Sequence, residues 1–179
     1  FLAGGPIRYF IPIGIIGAAA FTVFVATASY RVKRILAFID PFADTQGYTY
    51  HIAQILIALG SGGLFGLGVG QSRQKFAYIP EVTTDSIFSV IGEEFGLVGG
   101  VVVICIFGYI IVRGLKIAER APDIFGRLLA SGLTVWIGSQ AIVNLASMVS
   151  LVPLTGVPLP FISYGGSALL ANLVAVGIL

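Results

Sequence analysis

Arg73, Lys75, Glu81 and Asp85 crowd into one polar stretch, QSRQKFAYIPEVTTD at 71–85, of a chain otherwise poor in charge. Two cations followed by two carboxylates can grip a phosphate and move a proton. Arginine meets a phosphate through a bidentate fork, and lysine does so as a point charge. The alternative is that both are ordinary loop charges reaching toward lipid headgroups. Asp85 directly precedes an apolar run. Aspartate there is a favoured helix N-cap, a role that Thr83 or Thr84 fills equally well. If a threonine caps, Asp85 is the first helical carboxylate, at the boundary of an apolar medium, and a general base becomes the competing reading.

Other polar groups are fewer. Glu93 and Glu94 lie deeper in the same apolar run, where a carboxylate is costly and is a functional candidate by default. On a straight helix Glu93 falls about 80° and Glu94 about 180° from Asp85, so they cannot both share its face. Packing of helices through hydrogen bonds is the plainer role for them. Gln140 and Asn144 are spaced i, i+4 on one face of a later run, where they either join helices or line a polar space. Pro153 and the segment LTGVPLPFISYGGSALL that follows it carry three prolines and three glycines between them and cannot be one continuous helix. A helix starting near Ser167 would aim its N-terminal N–H groups outward from Gly165 and Gly166, which suits an anion; a plain turn is the alternative. His51 reads as an interfacial residue and not as a metal ligand. Cys105 is alone, which excludes an intrachain disulfide and a cysteine metal site.

Five apolar runs position these groups, at about 10–29, 52–69, 87–112, 128–149 and 167–179. The 179 residues are 57% hydrophobic and 10% charged, with a mean hydropathy of +1.01. A soluble domain carries about 25% charged residues, so lipid must be the solvent for much of this chain. The net charge of +2 is no nucleic-acid signature. The expected fold is an all-α, polytopic transmembrane helical bundle forming one membrane domain over 1–179. Alternation of five spans puts the loops 30–51 and 113–127 on one side, with seven of the ten basic residues. That side is expected to be cytoplasmic. The loops 70–85 and 151–166 are then expected to face outward together. The start at Phe1 and the stop at Leu179 inside an apolar run are those expected of a fragment.

Two long stretches carry a resemblance: GLGVGQSRQKFAYIPEVTTDSIFSVIGEEFG at 66–96 and NLASMVSLVPLTGVPLPFISYGGSALL at 144–170. Together with RVKRILAFIDPFAD at 31–44, they resemble the SEDS family (shape, elongation, division and sporulation). The SRQK wording at 72–75 is closer to the division and sporulation members than to the elongation member. The resemblance implies a multi-pass protein of the bacterial inner membrane with about ten helices, of which this chain would be the later five. It implies a peptidoglycan glycosyltransferase that polymerises lipid II during division, with Asp85, in the pattern PE-x-x-TD, as the essential carboxylate. It implies a class B penicillin-binding transpeptidase as partner, with other division proteins and membrane lipid, and no nucleic acid.

Substrate contacts are expected from Arg73, Lys75, Glu81, Thr84, Gln140, Asn144, Ser163, Gly165, Gly166 and Ser167. A divalent cation, Mg²⁺ or Mn²⁺, would serve the same leaving-group charge, although no dedicated ligand cluster is visible. Two positions depart from the family pattern: Ser150, where glycine is common, and Ser86, where phenylalanine or isoleucine is usual. A lipid II flippase and a non-catalytic division scaffold are the rival functions.

Overall fold

The computed structural model describes residues 8, 10–44, 47, 49–72 and 84–179. Among them the chain is all helical: α1 (Phe10–Ala26), α2 (Ser29–Ile39), α3 (Tyr50–Ser61), α4 (Ile87–Arg120), α5 (Ile124–Met148) and α6 (Gly166–Ile178). Two helices, α4 and α5, are long and apolar enough to cross a membrane; a third crossing is counted if Ile11–Ala26 and Ser29–Ile39, bent by 103°, form one span. The large apolar side chains of α1 stand outward, among them Ile11, Ile13, Ile15, Ile16 and Phe21. That exposure suits hydrocarbon and not water.

The bend between α1 and α2 is held by Arg31. Its guanidinium donates to the Phe24 carbonyl at 2.6 Å and lies 3.5 Å from the centre of the Phe24 ring. Beyond it α2 is amphipathic, with Arg31, Lys33 and Arg34 among Tyr30, Val32 and Leu36. Such a helix settles at the boundary between hydrocarbon and water.

The α4–α5 hairpin is the frame. Its turn is sealed by Asp123, the N-cap of α5, whose carboxylate accepts from the Gly126 N–H at 2.9 Å. Gly114 and Gly138 let the two helices approach: a Cβ on Gly114 would meet Thr134, and one on Gly138 would meet Ile111. The apolar core joins α3, α4, α5 and the loop after α5 through Ile55, Ala58, Phe88, Phe107, Ala141, Met148 and Leu159.

Helix α4 is broken at Gly96, where φ is 68° and ψ is −161°. The break frees carbonyls and amides that an unbroken helix would pair with each other. Here the glycine-rich segment after α3 takes them up. Leu67 and Gly68 N–H groups donate to the Glu93 and Glu94 carbonyls at 2.9 and 3.0 Å, while Leu97 and Val98 N–H groups donate to Gly63 and Leu64 at 2.9 and 3.2 Å. Two irregular segments thus complete each other's ladders, as backbone away from water requires.

This crossing corrects the sequence-based topology. His51, at the start of α3, lies 2.8 Å from Ser86, just before α4. The stretch between them therefore begins and ends at the same end of the molecule, and its glycine-rich turn sits at the break in α4. Gly96 is nine residues into that helix, about 14 Å along it, or roughly half a bilayer core. The run 52–69 is thus no complete crossing: helix α3 stops at Ser61, and the chain turns back after it. Consequently the segment 30–51 does not share a side with 113–127. Arg34 donates to the Leu154 carbonyl at 3.1 Å, in the loop that the alternation placed opposite. Hydropathy counts apolar residues, and a re-entrant segment is as apolar as a span.

Candidate functional site

Asp85 stands where the returning chain meets α4. The N-cap is Ser86, not Asp85 or a threonine, and Asp85 lies one residue before that cap in a turn with Thr84. Asp85 is 9% exposed. One carboxylate oxygen, Oδ1, is within reach of two hydroxyls: Ser86 donates at 3.2 Å and Thr84 at 3.4 Å. The other, Oδ2, faces Gly156, where an added Cβ would come to 3.8 Å.

The backbone at Asp85 is fixed from α5. The Asn144 side chain, fully buried, donates from Nδ2 to the Asp85 carbonyl at 2.8 Å and to the Val157 carbonyl at 2.7 Å. One amide thereby ties the start of α4 to the loop after α5. Of the two sequence-based roles for Asn144, joining helices is the one its contacts describe. Gln140, one turn away, has a buried Oε1 with no hydrogen-bond partner among the described residues.

A cavity of about 300 Å³ opens beside Asp85. Its walls are Arg34, Ala37 and Phe38 from α2, His51 and Ile52 from α3, and Ser150, Val152, Pro153, Leu154 and Gly156 from the loop after α5. The loop bends through three left-handed residues, Ser150 at φ 55°, Gly156 at φ 69° and Phe161 at φ 65°. Ser150 thus occupies a conformation natural to glycine. The cavity brings a carboxylate, a guanidinium and an imidazole to one wall-lined space at the boundary of an apolar bundle. Such a set can bind an anion and accept a proton.

The other expected site residues are spread more widely. Thr84 and Asn144 touch Asp85. Ser163 accepts from the Leu159 N–H at 2.8 Å and closes a local turn. Gly165, Gly166 and Ser167 form the start of α6 and are not among the cavity walls. Arg73, Lys75 and Glu81 lie outside the described residues. Glu93 is buried and accepts a hydrogen bond from Ser72, and Glu94 is buried beside it; both belong to the crossing at Gly96. Sequence reasoning missed Arg34 and His51, because both fell in a loop assigned to the far side. The usable signal was amphipathicity: an amphipathic Ser29–Ile39 lies along a boundary and does not leave it. Among the described residues, no group of three or more His, Cys, Asp or Glu side chains could hold a metal ion.

Fold and site together define a helical integral membrane protein with a carboxylate-bearing cavity at one end of its bundle. A family model described as "Cell cycle protein", covering FtsW, RodA and SpoVE, matches residues 1–179, and the chain belongs to that family. It is 45% identical over 179 residues to stage V sporulation protein E of Bacillus subtilis (strain 168), covering all of this chain and 49% of that protein. It is 42% identical to a probable peptidoglycan glycosyltransferase FtsW of Geobacter sp. (strain M18), again over all of this chain and 49% of the relative. The chain thus spans about half the length of the curated relatives it matches. A solved structure, "Structural coordination of polymerization and crosslinking by a peptidoglycan synthase complex", superposes with a TM-score of 0.69 at 30% identity, covering 97% of this chain and 48% of that one.

Proposed function

We propose that the intact protein is a peptidoglycan glycosyltransferase that polymerises lipid II at the outer face of the bacterial inner membrane. The observation that carries this reading is the Asp85 carboxylate on the wall of a cavity shared with Arg34, at the interfacial end of a membrane bundle. The relatives named as probable peptidoglycan glycosyltransferases support it.

The chemistry joins a sugar hydroxyl of one lipid-linked disaccharide to the anomeric carbon of another. The hydroxyl oxygen attacks, the bond from anomeric carbon to phosphate oxygen breaks, and the polyprenyl diphosphate leaves with the bonding pair. A hydroxyl is a poor nucleophile, so Asp85 takes its proton in the same displacement, with inversion at the anomeric carbon. With Oδ1 held by two hydroxyls, Oδ2 is the oxygen turned to the substrate. The leaving diphosphate gains charge as the bond breaks, and a preorganised cation offsets it. Arg34 serves that role: its fork keeps further N–H donors beyond the one given to Leu154. Arg73 and Lys75 add to it from the segment before Asp85.

Orientation is set by the charges at the far end. Arg113, Lys116, Arg120 and Arg127 gather around the α4–α5 turn, which suits the cytoplasm and leaves the cavity outside. Division is the role the SRQK wording favours, with a class B transpeptidase as partner. A lipid transporter would want its intramembrane carboxylates on an open path, whereas Glu93 and Glu94 are packed into the crossing.

The test is lipid II polymerisation by the intact protein, purified with its transpeptidase partner, against Asp85→Asn. Loss of glycan strands of about 10²-fold or more, with the variant still folded, is expected. Near-full activity in the variant would remove the general-base role.

A further inference from the structure

Ser86 occupies the N-cap of α4, yet its hydroxyl makes no cap hydrogen bond. Serine is among the best capping residues, and the missing bond usually stabilises a helix start. The hydroxyl is directed elsewhere: it lies 2.8 Å from His51 Nε2 and 3.2 Å from Asp85 Oδ1. Ser86 is completely buried, so water does not compete for it. A local rule is broken where three chemistry-bearing side chains meet, and such departures concentrate at working sites.

A hydroxyl has one proton and two acceptor lone pairs. Both contacts are hydrogen bonds at once in one arrangement: His51 donates from Nε2 to Ser86 Oγ, and Ser86 donates to Asp85 Oδ1. The alternative, with Ser86 donating to His51, leaves the carboxylate oxygen without that donor. A carboxylate ion at Asp85 selects the first arrangement, because a donor pointing at a negative oxygen is stronger than one pointing at a neutral nitrogen.

We infer that Ser86 and His51 form a hydrogen-bond chain that positions the Asp85 carboxylate, holding Oδ1 so that Oδ2 is presented to the attacking sugar hydroxyl. The inference rests on the general-base reading of Asp85. The hydrogen-bond chain also ties the site to the re-entrant hairpin, because His51 begins α3 and α3 packs along α4 down to the break at Gly96. Neither residue reacts with substrate; both act through Asp85. Arg34, the other charged residue on the cavity wall, approaches from α2 and is no member of this chain.

The experiment measures kcat and KM for lipid II polymerisation by the intact protein with its transpeptidase partner, for Ser86→Ala, His51→Leu, His51→Gln, the Ser86→Ala/His51→Leu double variant and Asp85→Asn. Ser86→Ala and His51→Leu each lower kcat about tenfold, the scale of a mis-set reacting group, with KM within about twofold. The double variant is no slower than either single one, because one chain is cut once. His51→Gln, which keeps a donor, recovers most of the rate. Size-exclusion profiles and thermal midpoints identify any variant that has not folded, and if Ser86→Ala is one, the His51→Leu and His51→Gln pair decides. If Asp85→Asn is inactive while Ser86→Ala keeps its full kcat, the positioning chain is wrong and the general base stands. Additive losses in the double variant, or a rise in KM with kcat unchanged, overturn it as well. An active Asp85→Asn overturns both.

Discussion

Replacing Gly96 with alanine tests the crossing on which the site rests. Gly96 has φ 68° and ψ −161°, a region that is essentially glycine's alone. Placing a side chain there costs about 1–3 kcal/mol from backbone conformation. The new Cβ would also press on the Gly66 nitrogen and sit 2.6 Å from the Leu64 carbonyl carbon and oxygen. These are backbone atoms with no rotamer to yield, so the hairpin must move. Four backbone hydrogen bonds join the two segments. If two of them are lost at about 1 kcal/mol each, the sum is about 3–5 kcal/mol. The loss is larger still if water does not reach the freed groups. Gly108 supplies the control: it lies in the same helix, and a Cβ there meets nothing within 4 Å. Gly108→Ala should leave stability unchanged or raise it by about 1 kcal/mol, through helix propensity alone. The assay is thermal unfolding of the intact protein in detergent, followed by lipid II polymerisation. Gly96→Ala should melt well below wild type and lose polymerisation, since His51 and Asp85 are held by the two segments that the crossing joins. Equal midpoints for Gly96→Ala and Gly108→Ala would refute the reasoning.

Two further substitutions probe the frame of the cavity. Asn144→Leu removes the donor shared by the Asp85 and Val157 carbonyls and leaves both buried acceptors unpaired, at about 1–3 kcal/mol each; the expected result is a lowered thermal midpoint together with lost polymerisation, and a stable, fully active variant would count against the clamp. Ser150→Gly relieves a left-handed serine at φ 55° and should raise stability by about 1 kcal/mol; a fall in the unfolding midpoint would mean that the serine side chain has a contact worth more than the strain.

Asp85 illustrates how far a linear pattern reaches. A polar stretch ending before an apolar run puts a carboxylate at the mouth of a helix, and Asp85 stands directly before the N-cap of α4. Its surroundings were not readable. Arg34 and His51 are 51 and 34 residues upstream of Asp85, and no spacing rule links them to it. Alternating spans separated them from Asp85 because α3 with its glycine-rich extension has the hydropathy of a crossing helix. The same limit applied to Glu93 and Glu94. A straight-helix wheel set them on different faces, but the break at Gly96 turned their carbonyls to the hairpin.

Composition and apolar runs alone determined that this chain belongs in a bilayer, is helical, and keeps nearly all of its charge outside the apolar runs. These properties come from the cost of placing charge and unpaired backbone in hydrocarbon, which acts on each segment separately. Tertiary structure decided which ends meet. The reciprocal hydrogen bonds at Gly96, the Asn144 clamp and the Ser86–His51 contact each pair groups distant in sequence. Their energies depend on distances of a few ångströms that only the folded chain defines, so a hairpin and a span of equal hydropathy remain indistinguishable until those pairs form.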